Sequence, residues 1–273
     1  MMPHFHADDG ARIHFTDTGD GPVLLCLSGL SRNSDDFQYL RPHLPGIRMI
    51  CMDYRGRGKS DWTGAETYTL QREGTDVVQL LAHLGLGSVP ILGTSRGGLI
   101  GLGLALTVPD VVAGLCMNDI GPVIEPEGLE RIRDYVGVNP GLPSFDTAAA
   151  HLEKGAYGFA NVAPDRWVQE ARTHFREESD GLRINYDPAL RDAFLEAFVV
   201  PMPEAWPFFE ALNGKPVGLI RGAGSDLMSR ETALKMKGLR PDLNWADVPD
   251  RGHVPFLDEP EALQVINDFM AVV

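Results

Sequence analysis

The run Val89-Pro90-Ile91-Leu92-Gly93-Thr94-Ser95-Arg96-Gly97-Gly98 sets a serine between two glycines where a short apolar stretch gives way to the helical Leu99 to Leu106. A nucleophile at such a junction sits on a sharp turn. Side chains two positions to either side would strike neighbouring backbone, so Gly93 and Gly97 are required there. The same turn aims the first amides of the helix at any negative oxygen that forms beside Ser95. A serine hydroxyl is a weak nucleophile at neutral pH and needs a base, itself oriented by a third group. His253, in Arg251-Gly252-His253-Val254-Pro255-Phe256, follows the apolar run Leu243 to Val248 and precedes an amphipathic helix, Pro260 to Val272. It therefore falls on a loop after a core strand, where parallel sheets carry functional groups. His4, His6 and His14 lie in the leading strands, and His83, His151 and His174 in helical segments, without that setting. For the orienting acid, Asp226 follows the strand Val217 to Ile220, and Asp119 follows a strand ending near Met117. Asp226 is preferred on the order serine, acid, histidine, and Asp119 is the rival.

Other motifs point to less. Gly58-Lys59-Ser60 after an apolar strand is superficially like a phosphate-binding loop, but Asp53 stands where that loop needs a glycine. Gly222-Ala223-Gly224 lacks the third glycine of a dinucleotide fingerprint, and His4-x-His6 lacks a third metal ligand. No metal or organic cofactor is expected. Arg96 has two open orientations: toward the substrate, where it could clamp a carboxylate, or under the helix, paired with a buried acid.

Six runs are too continuously apolar for one-sided strands: Val23 to Leu27, Ile47 to Met52, Val89 to Leu92, Val112 to Met117, Val217 to Ile220 and Leu243 to Val248. They read as parallel strands covered on both faces. Thr69 to Leu84 has a helical apolar period and stops at Gly85, as a crossover helix should. Arg12 to Thr18, after Asp9-Gly10, suggests a leading hairpin. Between Gly121 and about Phe209 strand-like runs give way to candidate helices at Glu127 to Val136, Phe145 to Tyr157, Pro164 to Glu178 and Pro188 to Val199. Pro140, Pro143, Pro164, Pro188 and Pro201 punctuate them. That is a helical insertion in an α/β core.

The 273 residues suffice for one large α/β domain with an insertion, and 44% hydrophobic residues supply its core. A net charge of −14 argues against nucleic-acid and membrane partners and says little else about function. Cys26, Cys51 and Cys116 sit inside apolar runs and are expected to be free. No basic stretch followed by an apolar one appears in Met1 to Gly10, and no window is apolar for the length of a membrane span, so a cytoplasmic location is expected.

Through Gly-Thr-Ser95-Arg-Gly-Gly, Asp53-Tyr-Arg-Gly-Arg-Gly-Lys-Ser60, Gly-Ser-Asp226 and Arg-Gly-His253-x-Pro-Phe, the chain resembles the α/β-hydrolase superfamily over nearly its whole length. The resemblance implies a mostly parallel eight-stranded sheet flanked by helices, with a helical cap inserted after the sixth core strand. The core would be residues 1–120 and 210–273 and the cap 121–209. It also implies a Ser95, His253, Asp226 triad acting on carboxylic esters of small to medium apolar substrates through an acyl-enzyme. The loop after Leu27 would supply one oxyanion donor, the backbone N–H of Leu30, and Arg96 N–H the other. Many relatives carry His-Gly in that loop, where this chain has Ser28-Gly29. Serine at the elbow argues against dehalogenase and epoxide hydrolase chemistry. Lactonase, carbon-carbon hydrolase and perhydrolase activities use the same triad, and a non-catalytic receptor can share the fold. The inserted segment carries Tyr135, Phe145, Tyr157, Phe159, Trp167, Phe175, Trp206, Phe208 and Phe209. Some must form its own core; Tyr157 and Trp206 are the candidates for lining a substrate pocket.

Overall fold

The computed structural model describes residues 3–199 and 205–273; Met1 and Pro201 lie outside the described residues. Eight strands form one sheet: β1 His4–His6, β2 Arg12–Thr18, β3 Val23–Leu27, β4 Arg48–Met52, β5 Val89–Thr94, β6 Val112–Asn118, β9 Val217–Gly222 and β10 Asn244–Val248. Their order is β1-β2-β4-β3-β5-β6-β9-β10. The leading hairpin β1–β2 is antiparallel and joins β4 antiparallel; from β4 to β10 every pair is parallel.

The continuous apolar strands follow from burial on both faces. On β3, Leu25 and Leu27 enter the core on one side and Leu24 and Cys26 the core on the other; Ile50 and Met52 alternate with Met49 and Cys51 on β4 in the same way. Successive side chains point to opposite faces, so a strand covered twice has no polar positions. All three cysteines are buried and free.

Helix α1, Leu70–His83, starts at Thr69, whose side chain accepts from Arg72 N–H. Its buried face carries Val77, Leu80 and Leu81 but also the acids Glu73 and Asp76. Arginines from the turn after β4 meet both: Arg55 Nε and Nη2 bond Asp76 at 2.7 and 2.8 Å, and Arg57 Nη1 bonds Glu73 at 2.7 Å. In that turn the Asp53 carboxylate accepts from Ser34 N–H, Lys59 N–H and the His14 ring, so it shapes the loop, and Lys59 points to solvent. Helix α2, Arg96–Thr107, is mostly buried against the sheet.

Between β6 and β9 the chain forms α3 Pro126–Tyr135, α4 Phe145–Gly155, α5 Pro164–His174, the hairpin β7 Phe175–Glu178 with β8 Gly181–Ile184, α6 Leu190–Val199 and α7 Trp206–Glu210. The expected helix Pro164 to Glu178 thus ends four residues early. Phe175, Leu182 and Ile184 are buried while Arg176, Glu177 and Glu178 face out. Ser179-Asp180 makes the two-residue turn, and Gly181 takes a φ of 127°. The last elements are α8 Arg230–Leu239 and α9 Pro260–Met270. No helix among the described residues is long and apolar enough to cross a membrane.

Candidate active site

Strand register decides what stands beside Ser95. Thr94 at the end of β5 is paired with Asn118 at the end of β6, and Asn118 with Ile220 of β9. Ser95 and Asp119 therefore leave the sheet side by side, each at the carboxyl end of its strand. Ser95 N–H donates to Asn118 O at 2.9 Å, and Asp119 N–H to Ile220 O at 2.7 Å. Ser95 has φ 49° and ψ −113°, a conformation that L residues avoid at a cost of about 1–3 kcal/mol. The glycines around it permit that turn: a Cβ on Gly93 would lie 2.5 Å from Gly98 N, and one on Gly97 would lie 2.1 Å from Leu27 O.

His253 reaches the serine from the loop after β10. Its Nε2 lies 3.0 Å from Ser95 Oγ, and its Nδ1 lies 2.7 Å from Asp119 Oδ2. A carboxylate oxygen opposite Nδ1 makes that nitrogen the protonated one and leaves Nε2 free to accept from the serine hydroxyl. Asp119 is fully buried and accepts twice more, from Gly222 N–H at 2.7 Å and Ser225 Oγ at 2.6 Å. Asn118 Nδ2 donates to Thr94 Oγ1 and to Pro255 O, both at 3.2 Å, tying the serine's strand to the histidine's loop.

Asp226 is not the acid facing His253. It binds Arg131 of α3, whose guanidinium also lies 3.8 Å from the centre of the Tyr157 ring. Both aspartates satisfy the order serine, acid, histidine; register separates them, because Asp119 follows β6 directly while Asp226 lies beyond the turn that closes β9. The end of β9 and that turn hold Asp119 instead, through Gly222 N–H and Ser225 Oγ. Sequence reasoning missed Ser225 and Asn118. Ser225 had a signal, a hydroxyl next to the favoured acid.

Leu30 lies in the turn Gly29 to Arg32, closed by Arg32 N–H on Gly29 O at 3.2 Å. Its carbonyl accepts from Arg57 Nε at 2.9 Å. Ser28 O accepts from Gly97 N–H at 3.1 Å and from the Tyr54 hydroxyl at 3.2 Å, which docks this loop on the elbow. A Cβ on Gly29 would lie 3.9 Å from Ser95 Cβ, so the loop passes next to the serine. Among the described residues neither Leu30 N–H nor Arg96 N–H donates to a protein acceptor.

Of the two orientations open to Arg96, the structure shows the one under the helix. Nε bonds the buried Glu73 carboxylate and Nη2 the Tyr68 carbonyl at 2.9 Å, so the side chain is not poised as a substrate clamp. Trp206 packs edge-on to Phe209, with Lys235 Nζ 3.9 Å from its ring centre. Phe159 and Trp167 cluster with Phe256, three residues past His253. Tyr135 keeps about half its surface open.

The inserted segment touches the core beside these groups. Arg32 Nη2 bonds Glu170 of α5 at 2.8 Å, Asn33 Nδ2 bonds Thr173 O at 3.1 Å, and Ala160 N–H bonds Asp250 O at 3.0 Å.

Comparison with known proteins agrees with this architecture. Residues 22–260 match the alpha/beta hydrolase fold family. A 3-hydroxybutyrate-oligomer hydrolase from Cupriavidus necator is 35% identical over 93% of this chain and 89% of its own length. A 2-(acetamidomethylene)succinate hydrolase from Mesorhizobium japonicum is 28% identical over 94% of this chain and 91% of its own. The crystal structure of an alpha/beta hydrolase from Novosphingobium aromaticivorans superposes with a TM-score of 0.92 at 35% identity, covering 100% of this chain and 98% of that one. The fold family, the sheet order and these relatives agree: the chain belongs to the alpha/beta hydrolases.

Proposed function

We propose that the protein hydrolyses carboxylic esters through an acyl-enzyme on Ser95. The observation that carries this reading is the unbroken hydrogen-bonded chain from Ser95 Oγ through His253 to Asp119. Ser95 Oγ attacks the ester carbonyl carbon as its proton passes to His253 Nε2. The carbonyl oxygen becomes an oxyanion held by the N–H groups of Leu30 and Arg96. As the carbonyl re-forms, the C–O bond to the alcohol breaks and His253 returns the proton to the leaving oxygen. Water, deprotonated by His253, then attacks the acyl carbon and frees Ser95. Asp119 holds the imidazole in the tautomer this needs and stabilises the imidazolium. Residues 121–209 act as a cap over the core, a role supported by the bonds from Arg32 to Glu170 and from Ala160 to Asp250.

The substrate we favour is a short ester of a hydroxy acid. That class is suggested by the 35% identical relative, named for a 3-hydroxybutyrate oligomer. Action on such a molecule in the cytoplasm accords with three cysteines that are free. The test is chromatography of a 3-hydroxybutyrate dimer incubated with the protein, beside hydrolysis of a p-nitrophenyl ester. Conversion of the dimer to monomer is expected, and Ser95→Ala should lower both turnovers by about 10³-fold or more. A Ser95→Ala variant as fast as the parent would overturn the mechanism; an active parent that leaves the dimer intact would overturn the substrate class.

A further inference from the structure

Under the two N–H groups assigned to the oxyanion lies a set of charges that the proton relay does not use. The Glu73 carboxylate is fully buried, and its two oxygens go to different arginines: Oε1 to Arg57 Nη1 at 2.7 Å, Oε2 to Arg96 Nε. Each arginine uses another nitrogen to hold a backbone carbonyl. Arg57 Nε holds Leu30 O, and Arg96 Nη2 holds Tyr68 O. One carboxylate thereby links the residue that carries one oxyanion donor to the segment that carries the other.

The geometry makes that link directional. The N–H of Leu30 shares a trans peptide with the Gly29 carbonyl and points opposite to it. Gly29 O is held by Arg32 N–H, and the carbonyl on the far side of Leu30 is held by Arg57. With both flanking carbonyls tied, the Leu30 N–H has little freedom to turn. Arg96 is the first residue of α2, so fixing its side chain on α1 restrains the helix terminus whose amide is the second donor. Two guanidiniums share a single carboxylate, which leaves the set with one surplus positive charge in a buried place. Arg57 is fully enclosed between the Tyr54 and Tyr68 rings, and its Nη2 has no partner among the described residues. Burial pulls the Arg57 guanidinium down from its ordinary value, and Glu73 opposes that pull.

We infer that Glu73, through Arg57 and Arg96, is the positioning residue of the oxyanion hole, joining its two donors and placing a surplus positive charge behind them. The inference rests on the serine mechanism proposed above. Preorganised charge and dipoles stabilise an oxyanion without reorganising as it forms, so the effect belongs to the transition state and not to ground-state binding.

The test compares Arg96→Lys, Arg96→Met and Glu73→Gln with the parent on a p-nitrophenyl ester, using a trifluoromethyl ketone as the tetrahedral probe. Arg96→Met removes charge and fork together but keeps the backbone donor; Arg96→Lys keeps the charge and loses the fork. We expect kcat to fall by about 10- to 10²-fold in Arg96→Met with KM within about threefold, and Arg96→Lys to recover part of the loss. The inhibition constant of the ketone should rise by the same factor as kcat/KM falls. Glu73→Gln leaves two cations unpaired, and where it folds it should behave like Arg96→Met. Folded Arg96 variants that melt earlier yet keep kcat/KM and ketone affinity within about twofold of the parent would reduce the set to a structural role and overturn the inference. Organophosphate labelling of the parent separates the two readings. An unlabelled Ser95 overturns the serine mechanism, whereas a labelled Ser95 with unchanged variants overturns only the role of Glu73.

Discussion

Asp119 leaves β6 with φ 56°, a conformation uncommon outside glycine, and among the described residues its side chain bonds the histidine loop, the last residue of β9 and the turn after it. Replacing it with asparagine keeps the shape but offers His253 an amide in place of a carboxylate, so the imidazole is held in the wrong tautomer and its cation is unsupported. Asp119→Asn should lower kcat on an aryl ester by about 10³- to 10⁴-fold with a much smaller change in KM. Asp226→Asn, which loses only the contact to Arg131, should stay within about threefold of the parent. The reverse ranking in steady-state kinetics would return the acid to Asp226. The serine and the histidine that face each other were legible because each stands in a local setting that sequence records: glycines around a serine, and a loop after an apolar run. The aspartate facing that histidine was not, because its identity depends on which strand ends lie side by side. Arg57 and Glu73 were hidden for the same reason, since only the packed sheet and helices bring their segments to Arg96, whose pairing with a buried acid was one of the two orientations the sequence left open.

At the scale of elements, α5 joins the inserted segment to the loop next to Ser95, and the junction carries two groups shifted in opposite directions. Burial holds His174 down to about 3, with Arg32 adding to the shift and Glu170 opposing it. Burial raises Asp36 to about 6, with Arg32 opposing. Between pH 6.5 and 3 the unfolded chain binds a proton that folded His174 refuses, so this contribution lowers stability as pH falls. Between pH 6 and 3.8 folded Asp36 keeps a proton that the unfolded chain has released, so that contribution raises stability as pH falls. The two oppose each other in the parent, and removing the histidine uncovers the aspartate. The melting temperature of His174→Asn, followed by circular dichroism, should therefore gain on the parent as pH is lowered from about 7 to about 4.5. Parallel curves would mean that His174 titrates normally in the fold. The elements themselves were legible where pattern is strong: strands buried on two faces read as unbroken apolar runs, and the α1 period matched its helix. The hairpin β7–β8 was missed because Arg176-Glu177-Glu178 continues the polar character of α5. Its only inward residues, Phe175, Leu182 and Ile184, fall on both sides of a turn, so neither half shows enough alternation alone.

For the whole molecule, the charge of −14 combines with the burial of the arginines. Arg55 and Arg57 are fully enclosed and Arg221 and Arg240 nearly so, while Arg32 and Arg166 bridge the inserted segment and the core through Glu170 and Asp258. Much of the positive charge is thereby committed to internal pairs, and the field that an approaching molecule meets is set by the acids that remain. A neutral ester ignores that field, but a hydroxy-acid dimer carries a carboxylate and must do work against it. Salt shortens the reach of the repulsion, from about 30 Å at 0.01 M to about 8 Å at 0.15 M. Because kcat/KM includes the work of bringing substrate from bulk solution, it should rise a few-fold for the 3-hydroxybutyrate dimer over that range and stay flat for a neutral p-nitrophenyl ester. Stopped assays at matched pH, with the neutral ester as internal control, measure the ratio directly. A fall with added salt would mean that positive charge close to Ser95 outweighs the surface at the distance where the anion commits to binding, and that net charge is a poor guide to what this protein admits.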